Sequence, residues 1–177
     1  MGTLFASVYN RFLGKITDDM YMELTPEDTA KDLQNLLVNA IPGFEFPRIS
    51  LEYTILVSDD ISNEQGFIIN NGQDRCNDLS YFSSTLSSEE IDILAILMMV
   101  GWTQRQITSI ENTRMKYSGS DFKMTSQANH LGKLLTLLTE LQRQSTHAQR
   151  LYKRRRQGED GTISSNWGVF RDDTVIG

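Results

Sequence analysis

Cysteine is nearly absent: Cys76 is the only one in 177 residues. No intramolecular disulfide can form, and a reducing, cytosolic setting is expected. Histidine is almost as scarce. His130 and His147 are the two, 17 positions apart, about 25 Å along one helix at the standard rise. They cannot share a metal within one copy, and one cysteine excludes a zinc site of ordinary ligand spacing. The 12 glycines are scattered and form no phosphate-binding loop. Asp59, Asp60 and Glu64 lack the calcium-loop pattern and read as the solvated end of a hairpin. No nucleophile, base and orienting group stand together. The sequence therefore predicts a non-enzyme, with no catalytic residue, no metal and no cofactor.

Long apolar runs are missing too. The most apolar window, Ile91 to Val100, contains Asp92 and is far short of the roughly 20 residues that span a bilayer. No basic segment leads into an apolar core and cleavage site at the N-terminus. A soluble chain without membrane contact is expected.

Charge is present but unevenly placed. Residues 1–100 hold 5 basic and 16 acidic side chains, net −11, whereas residues 101–177 hold 12 basic and 7 acidic, net +5. The overall balance of −6 repels phosphate at long range. Two solvated faces account for the asymmetry, and so does an assembly in which the acidic half of one subunit meets the basic half of the next.

Proline is absent from residues 120–156, and Gly132 is the only interior breaker there. Leu131, Leu134, Leu138, Leu141, Ser145, Ala148 and Tyr152 follow at alternating steps of three and four, one seam of a single helix. A helix of this length reaches roughly 50 Å, longer than a small core needs. The seam Leu131, Leu134, Leu138, Leu141 and Tyr152 is the candidate subunit interface. The helix is predicted to close in Lys153, Arg154, Arg155 and Arg156, a run suited to DNA or an acidic partner as well as to a helix C-terminus.

Upstream, residues 3–14 place Leu4, Phe5, Val8, Phe12 and Leu13 at helical spacing with Gly14 as the stop. Thr25-Pro26-Glu27-Asp28 is a helix start, with Leu33, Leu36, Leu37 and Ala40 as buried face and Pro42-Gly43 as terminator. Phe44 to Arg48 reads as an extended connector with both aromatics tucked against the core. Leu51 to Val57 and Phe67 to Ile69 read as strands, and Asn71-Gly72 fits a tight hairpin turn, giving a β-insertion over about 50–82. Ser87 and Glu90 stand at capping-box spacing before a helix, apolar nearly all round, that runs to about Thr113 and bends or loosens at Gly101. The expected fold is a mainly α helical bundle with one long C-terminal helix, a small antiparallel β-insertion and an extended C-terminal arm. Residues 1–157 form the helical domain, and residues 158–177, beyond the Gly158 to Gly161 breaker, form a docking arm. Within it, Trp167 to Phe170 is apolar and β-prone, suited to adding a strand to another protein's edge.

One motif favours a different class. Gly101-Trp102-Thr103-Gln104-Arg105-Gln106-Ile107, followed by Ile110, is similar to the turn and second helix of helix-turn-helix DNA readers. Against it, Met98-Met99-Val100 puts bulk where the turn needs small residues, and only Arg105 and Arg114 lie near. A DNA-binding packaging component or regulator is the alternative function.

Three stretches carry a family resemblance: Ile41-Pro42-Gly43-Phe44-Glu45-Phe46-Pro47-Arg48, Leu86 to Leu94, and Lys116 to Ala128 with its Tyr117-Ser118-Gly119-Ser120-Asp121 turn. They resemble the neck, or head-tail connector, proteins of tailed bacteriophages over about residues 25–170. The resemblance implies a structural virion protein: a homo-oligomeric ring of adaptor subunits beneath a dodecameric portal, joining capsid vertex to tail, meeting other neck or tail proteins, and lining the channel for non-specifically contacted packaged DNA. It implies a place in the virion neck, and in host cytoplasm during assembly. In that family the C-terminal arm docks on the portal. The residues matched to that role are Ile163, Trp167, Val169, Phe170 and Arg171.

Overall fold

The computed structural model describes residues 2–16, 24–56, 67–69, 74–76, 78–116, 124–157 and 163–165. Their order is β1 (Thr3–Leu4), α1 (Phe5–Leu13), α2 (Pro26–Ala40), a 3-10 turn (Ile41–Gly43), β2 (Tyr53–Thr54), β3 (Phe67–Ile69), β4 (Asp74–Cys76), β5 (Tyr81–Phe82), α3 (Ser88–Lys116), α4 (Met124–Arg154), β6 (Arg155–Gln157) and β7 (Ile163–Ser165). The fold is mainly helical with small antiparallel β-elements, as the sequence pattern predicts.

Helix starts follow local chemistry. Thr25 caps α2: its Oγ1 accepts from the Asp28 amide at 3.2 Å and donates to Asp28 Oδ2 at 2.8 Å. Pro26, in the first turn, lacks an amide that would be orphaned there anyway. The capping box at α3 is complete. The Glu90 amide donates to Ser87 Oγ at 3.4 Å, and Glu90 Oε2 accepts from the Ser87 amide at 2.7 Å and hydroxyl at 2.9 Å.

α1 is too short to hold itself together and depends on packing. Phe5, Val8, Tyr9 and Phe12 are all fully buried, each such side chain contributing roughly 1.5–3 kcal/mol. They meet Leu33 and Leu37 of α2 and Ile93, Leu94 and Met98 of α3 in one core, which Tyr152 of α4 also enters. α3 is its central helix, packed by α1, α2 and α4.

A three-stranded antiparallel sheet of order β1-β5-β2 covers one end of this core. The Phe82 ring in β5 lies 4.7 Å from that of Phe5. The sequence pattern extends the first helix to Thr3, but Thr3 and Leu4 are drawn into the sheet instead, pairing with Phe82 and Tyr81. Gly2 is needed there, since a Cβ would sit 1.9 Å from the Phe82 carbonyl oxygen. The strand expected over Leu51 to Val57 is shorter: Tyr53–Thr54 are paired, Ile55 and Leu56 are exposed, and Val57 lies outside the described residues. β3 and β4 form the expected antiparallel hairpin, Phe67 opposite Cys76 and Ile69 opposite Asp74. Asn71-Gly72, Asp59, Asp60 and Glu64 lie outside the described residues.

Asp78 is a buried acid. It is 5% exposed, accepting from Tyr9 Oη at 2.9 Å and the Ser80 amide at 2.8 Å. Ser80 Oγ in turn accepts from Gln34 Nε2 at 3.0 Å and the Leu56 amide at 3.2 Å. A buried polar knot thus ties the β-insertion to α1 and α2.

Beyond the core, α3 and α4 run together as a two-helix hairpin. At ~1.5 Å per residue they are about 43 and 46 Å long. Ile107, Leu134 and Leu141 are buried between them, apart from the main core cluster.

Candidate functional site

The α4 seam is turned inward. Leu134, Leu141, Ser145 and Tyr152 are buried, and Leu131, Leu138 and Ala148 are half-buried, all within a single copy. Within one copy Leu134 and Leu141 are buried, and Tyr152 enters the main core. Among the described side chains of α4, the large apolar ones left to solvent are Leu135 and Leu137, at 47% and 39% exposure. They flank the seam, and the three-four periodicity conceals them because it counts only one line of residues.

The stretch read as the turn and second helix of a helix-turn-helix adopts a different local structure. Gly101 to Ile107 lies inside α3, which is continuous from Ser88 to Lys116, so no turn separates two helices. Thr103 is fully buried, its hydroxyl donating to the Met99 carbonyl at 2.8 Å, and Arg105 is bidentate to Asp32 at 2.6 and 2.9 Å. Neither faces a groove as a base reader.

Polar side chains from distant parts of the sequence converge instead at the end of α4. Glu90, 4% exposed, caps α3 with one carboxylate oxygen and accepts from the Tyr152 hydroxyl with the other. That hydroxyl also accepts from the Arg48 amide at 3.0 Å. The Arg48 guanidinium stacks over the Tyr152 ring at 3.9 Å, and its Nη2 donates to the Tyr152 carbonyl and, at 2.7 Å, to the Arg155 carbonyl. Phe44 meets the same ring edge-on at 5.3 Å. Arg155 Nη1 reaches Glu89 Oε1 at 2.9 Å. Gln149 completes the seal, accepting from the Glu45 amide at 2.9 Å and donating to the Gly43 carbonyl at 3.1 Å.

Burial first, then the bond to Glu90, pushes the Tyr152 phenol up to about 12. Both causes favour the neutral hydroxyl, so it remains a hydrogen-bond donor across the physiological range. It cannot serve as a general base there. The arrangement joins the connector, α3 and α4.

The basic run is divided by this junction. α4 ends at Arg154 rather than Arg156, and Arg155–Gln157 pair antiparallel with Ile163–Ser165, Arg155 opposite Ser165. Arg155 is committed to Glu89, and Lys153 Nζ sits 4.0 Å over the Phe46 ring. Arg154 is exposed. Phe46 is itself 52% exposed, so only Phe44 of the two connector aromatics is tucked into the core; Lys153 covers the other. A cleft of about 280 Å³ lined by Glu45, Phe46, Gln149, Arg150 and Lys153 opens beside it. Ile163 pairs with Gln157 in the hairpin, which crosses the boundary expected at residue 157. Trp167, Val169, Phe170 and Arg171 lie outside the described residues.

Arg48, Glu89 and Glu90 are the residues that sequence reading missed. Glu90 was visible as a capping-box acid, but nothing local signals that it also meets a tyrosine 62 positions away. Part of the charge asymmetry is settled within one copy, through Arg105–Asp32 and Arg155–Glu89.

Among the described residues no cluster of three or more potential metal ligands occurs, and no helix is long and apolar enough to cross a membrane. No family model, curated protein or solved structure matches the chain.

Proposed function

We propose that the chain is a ring-forming head-tail connector of a tailed phage, an adaptor that docks on the portal and joins the capsid vertex to the tail. The observation that carries this reading is the junction at the end of α4. A long helix stops against a hydrogen-bonded hub and hands the chain to a β-hairpin. A fixed exit from the helical domain suits the resemblance in the connector and turn motifs. Exposed Leu135 and Leu137 are apolar contacts that α4 can offer a neighbour in the ring. Lys153, Arg154 and Arg156 remain the candidates for packaged DNA or an acidic partner, with Arg155 already held by Glu89.

Binding to the portal protein of the same virion tests the reading. Full-length chain should co-sediment with portal rings at a stoichiometry set by ring symmetry, and chain lacking residues 166–177 should not. Failure of the full-length chain to bind, together with tight sequence-selective binding to duplex DNA, would overturn it.

A further inference from the structure

We infer that Arg48 decides whether residues 155–157 are the last turn of α4 or the first strand of the C-terminal hairpin. The local sequence favours helix. Lys153 to Gln157 are all good helix formers, cations suit a helix C-terminus, and the first breaker is Gly158. The chain nevertheless leaves the helix at Arg154.

The reason lies in two carbonyls. For α4 to continue, the Tyr152 carbonyl must accept from the Arg156 amide and the Arg155 carbonyl from the Glu159 amide, the helical i to i−4 pattern. Arg48 Nη2 carries two hydrogens and donates to both carbonyls. Its planar guanidinium is pre-organised for such paired donation and is fixed in place by stacking on Tyr152 and by the bond from its own amide to the Tyr152 hydroxyl. With Arg48 competing for those carbonyls, Arg156 goes to the strand pairing opposite Ser164. A two-stranded hairpin is marginal alone, so a modest bias at its root suffices to select it. Glu89, holding the Arg155 side chain at 2.9 Å, anchors the same root from α3. Arg48 is thus a positioning residue. Under the connector reading, on which this biological meaning rests, it sets where the chain leaves α4 for the hairpin that precedes the docking arm.

The test uses the full chain and does not need the portal. In Arg48→Met the aliphatic stem can still lie on Tyr152 but both donors are lost. The Cα chemical shifts of residues 155–157 should then change sign from strand-like to helix-like, with protection lost at the β6–β7 amides. Tyr152→Phe removes the hub hydroxyl but leaves the ring and both carbonyls, so residues 155–157 should stay strand-like. A general loosening of the hub would instead move both variants alike. Strand-like shifts retained in both Arg48→Met and Arg48→Ala would overturn the inference. Portal co-sedimentation of the same variants reports separately on the connector reading: wild-type chain that fails to bind defeats that reading and leaves the Arg48 result standing.

Discussion

Replacing Tyr152 with phenylalanine isolates the energy of the hub from its packing. The ring keeps its edge-on contact with Phe44 and its place under the Arg48 guanidinium, so the roughly 3–5 kcal/mol that a cavity from an aromatic-to-alanine change would cost is avoided. The hydroxyl's two bonds are lost. Glu90, 4% exposed, forfeits a donor to one carboxylate oxygen, and a hydrogen bond to a charged group contributes about 1.5–3 kcal/mol. The Arg48 amide, half-buried, loses its acceptor at 3.0 Å, which costs a further ~1 kcal/mol if water does not replace it. Together the expected destabilisation is about 2–4 kcal/mol, and for a chain of this size Tm should fall by roughly 5–15 °C. Urea unfolding should show a lower midpoint at unchanged slope. The phenol supplies a second signature. Its folded value is raised to about 12 against about 10 for a free tyrosine. The fold therefore prefers the neutral form, and the stability this contributes is whole below about pH 10 and lost as pH climbs toward 12. Wild type should lose stability more steeply than Tyr152→Phe across that window, and the two should converge at its upper end. A variant within ~0.5 kcal/mol of wild type at pH 7, the usual range for surface changes, would show that the hub is not a stabilising unit.

Leu141→Asp places a carboxylate at a 4% exposed position between α3 and α4 and should cost several kcal/mol, read as loss of the folded baseline in circular dichroism. A normal Tm would mean that this seam does not pack inside the chain. Leu135→Asp, at 47% exposure, should leave Tm nearly unchanged and act only on self-association, which sedimentation would report; a large drop in Tm would show Leu135 to be an internal contact. Thr25→Ala removes the oxygen that accepts from the Asp28 amide and should cost about 1 kcal/mol, whereas Thr25→Ser should restore most of it.

Elements whose cause is local were legible in the sequence. The cap and first-turn proline of α2, the capping box of α3, the apolar face of α1 and the β3–β4 hairpin each rest on residues within a few positions of one another. The α4 seam was legible as a line of residues, because a 3.6-residue period is a property of one helix. Which surface that line faces is not. The sequence reading offers Leu134, Leu141 and Tyr152 to a neighbouring subunit; within one copy all three are buried.

The chain's own sequence determined its helical class and most of its helix boundaries, because propensity, capping and periodicity act over one or two turns. Tertiary structure decided the rest. Gly101 lies within an uninterrupted helix because α3 is packed by neighbours on several sides. Thr3 and Leu4 are strand because β5 offers them an open edge. Asp78 is buried because Tyr9, 69 positions away, donates to it. The end of α4 falls at Arg154, in the midst of good helix formers, where a guanidinium more than 100 positions away takes the Tyr152 and Arg155 carbonyls. Hydrogen bonds and buried contacts of that range depend on how the helices dock, which no window of local sequence contains.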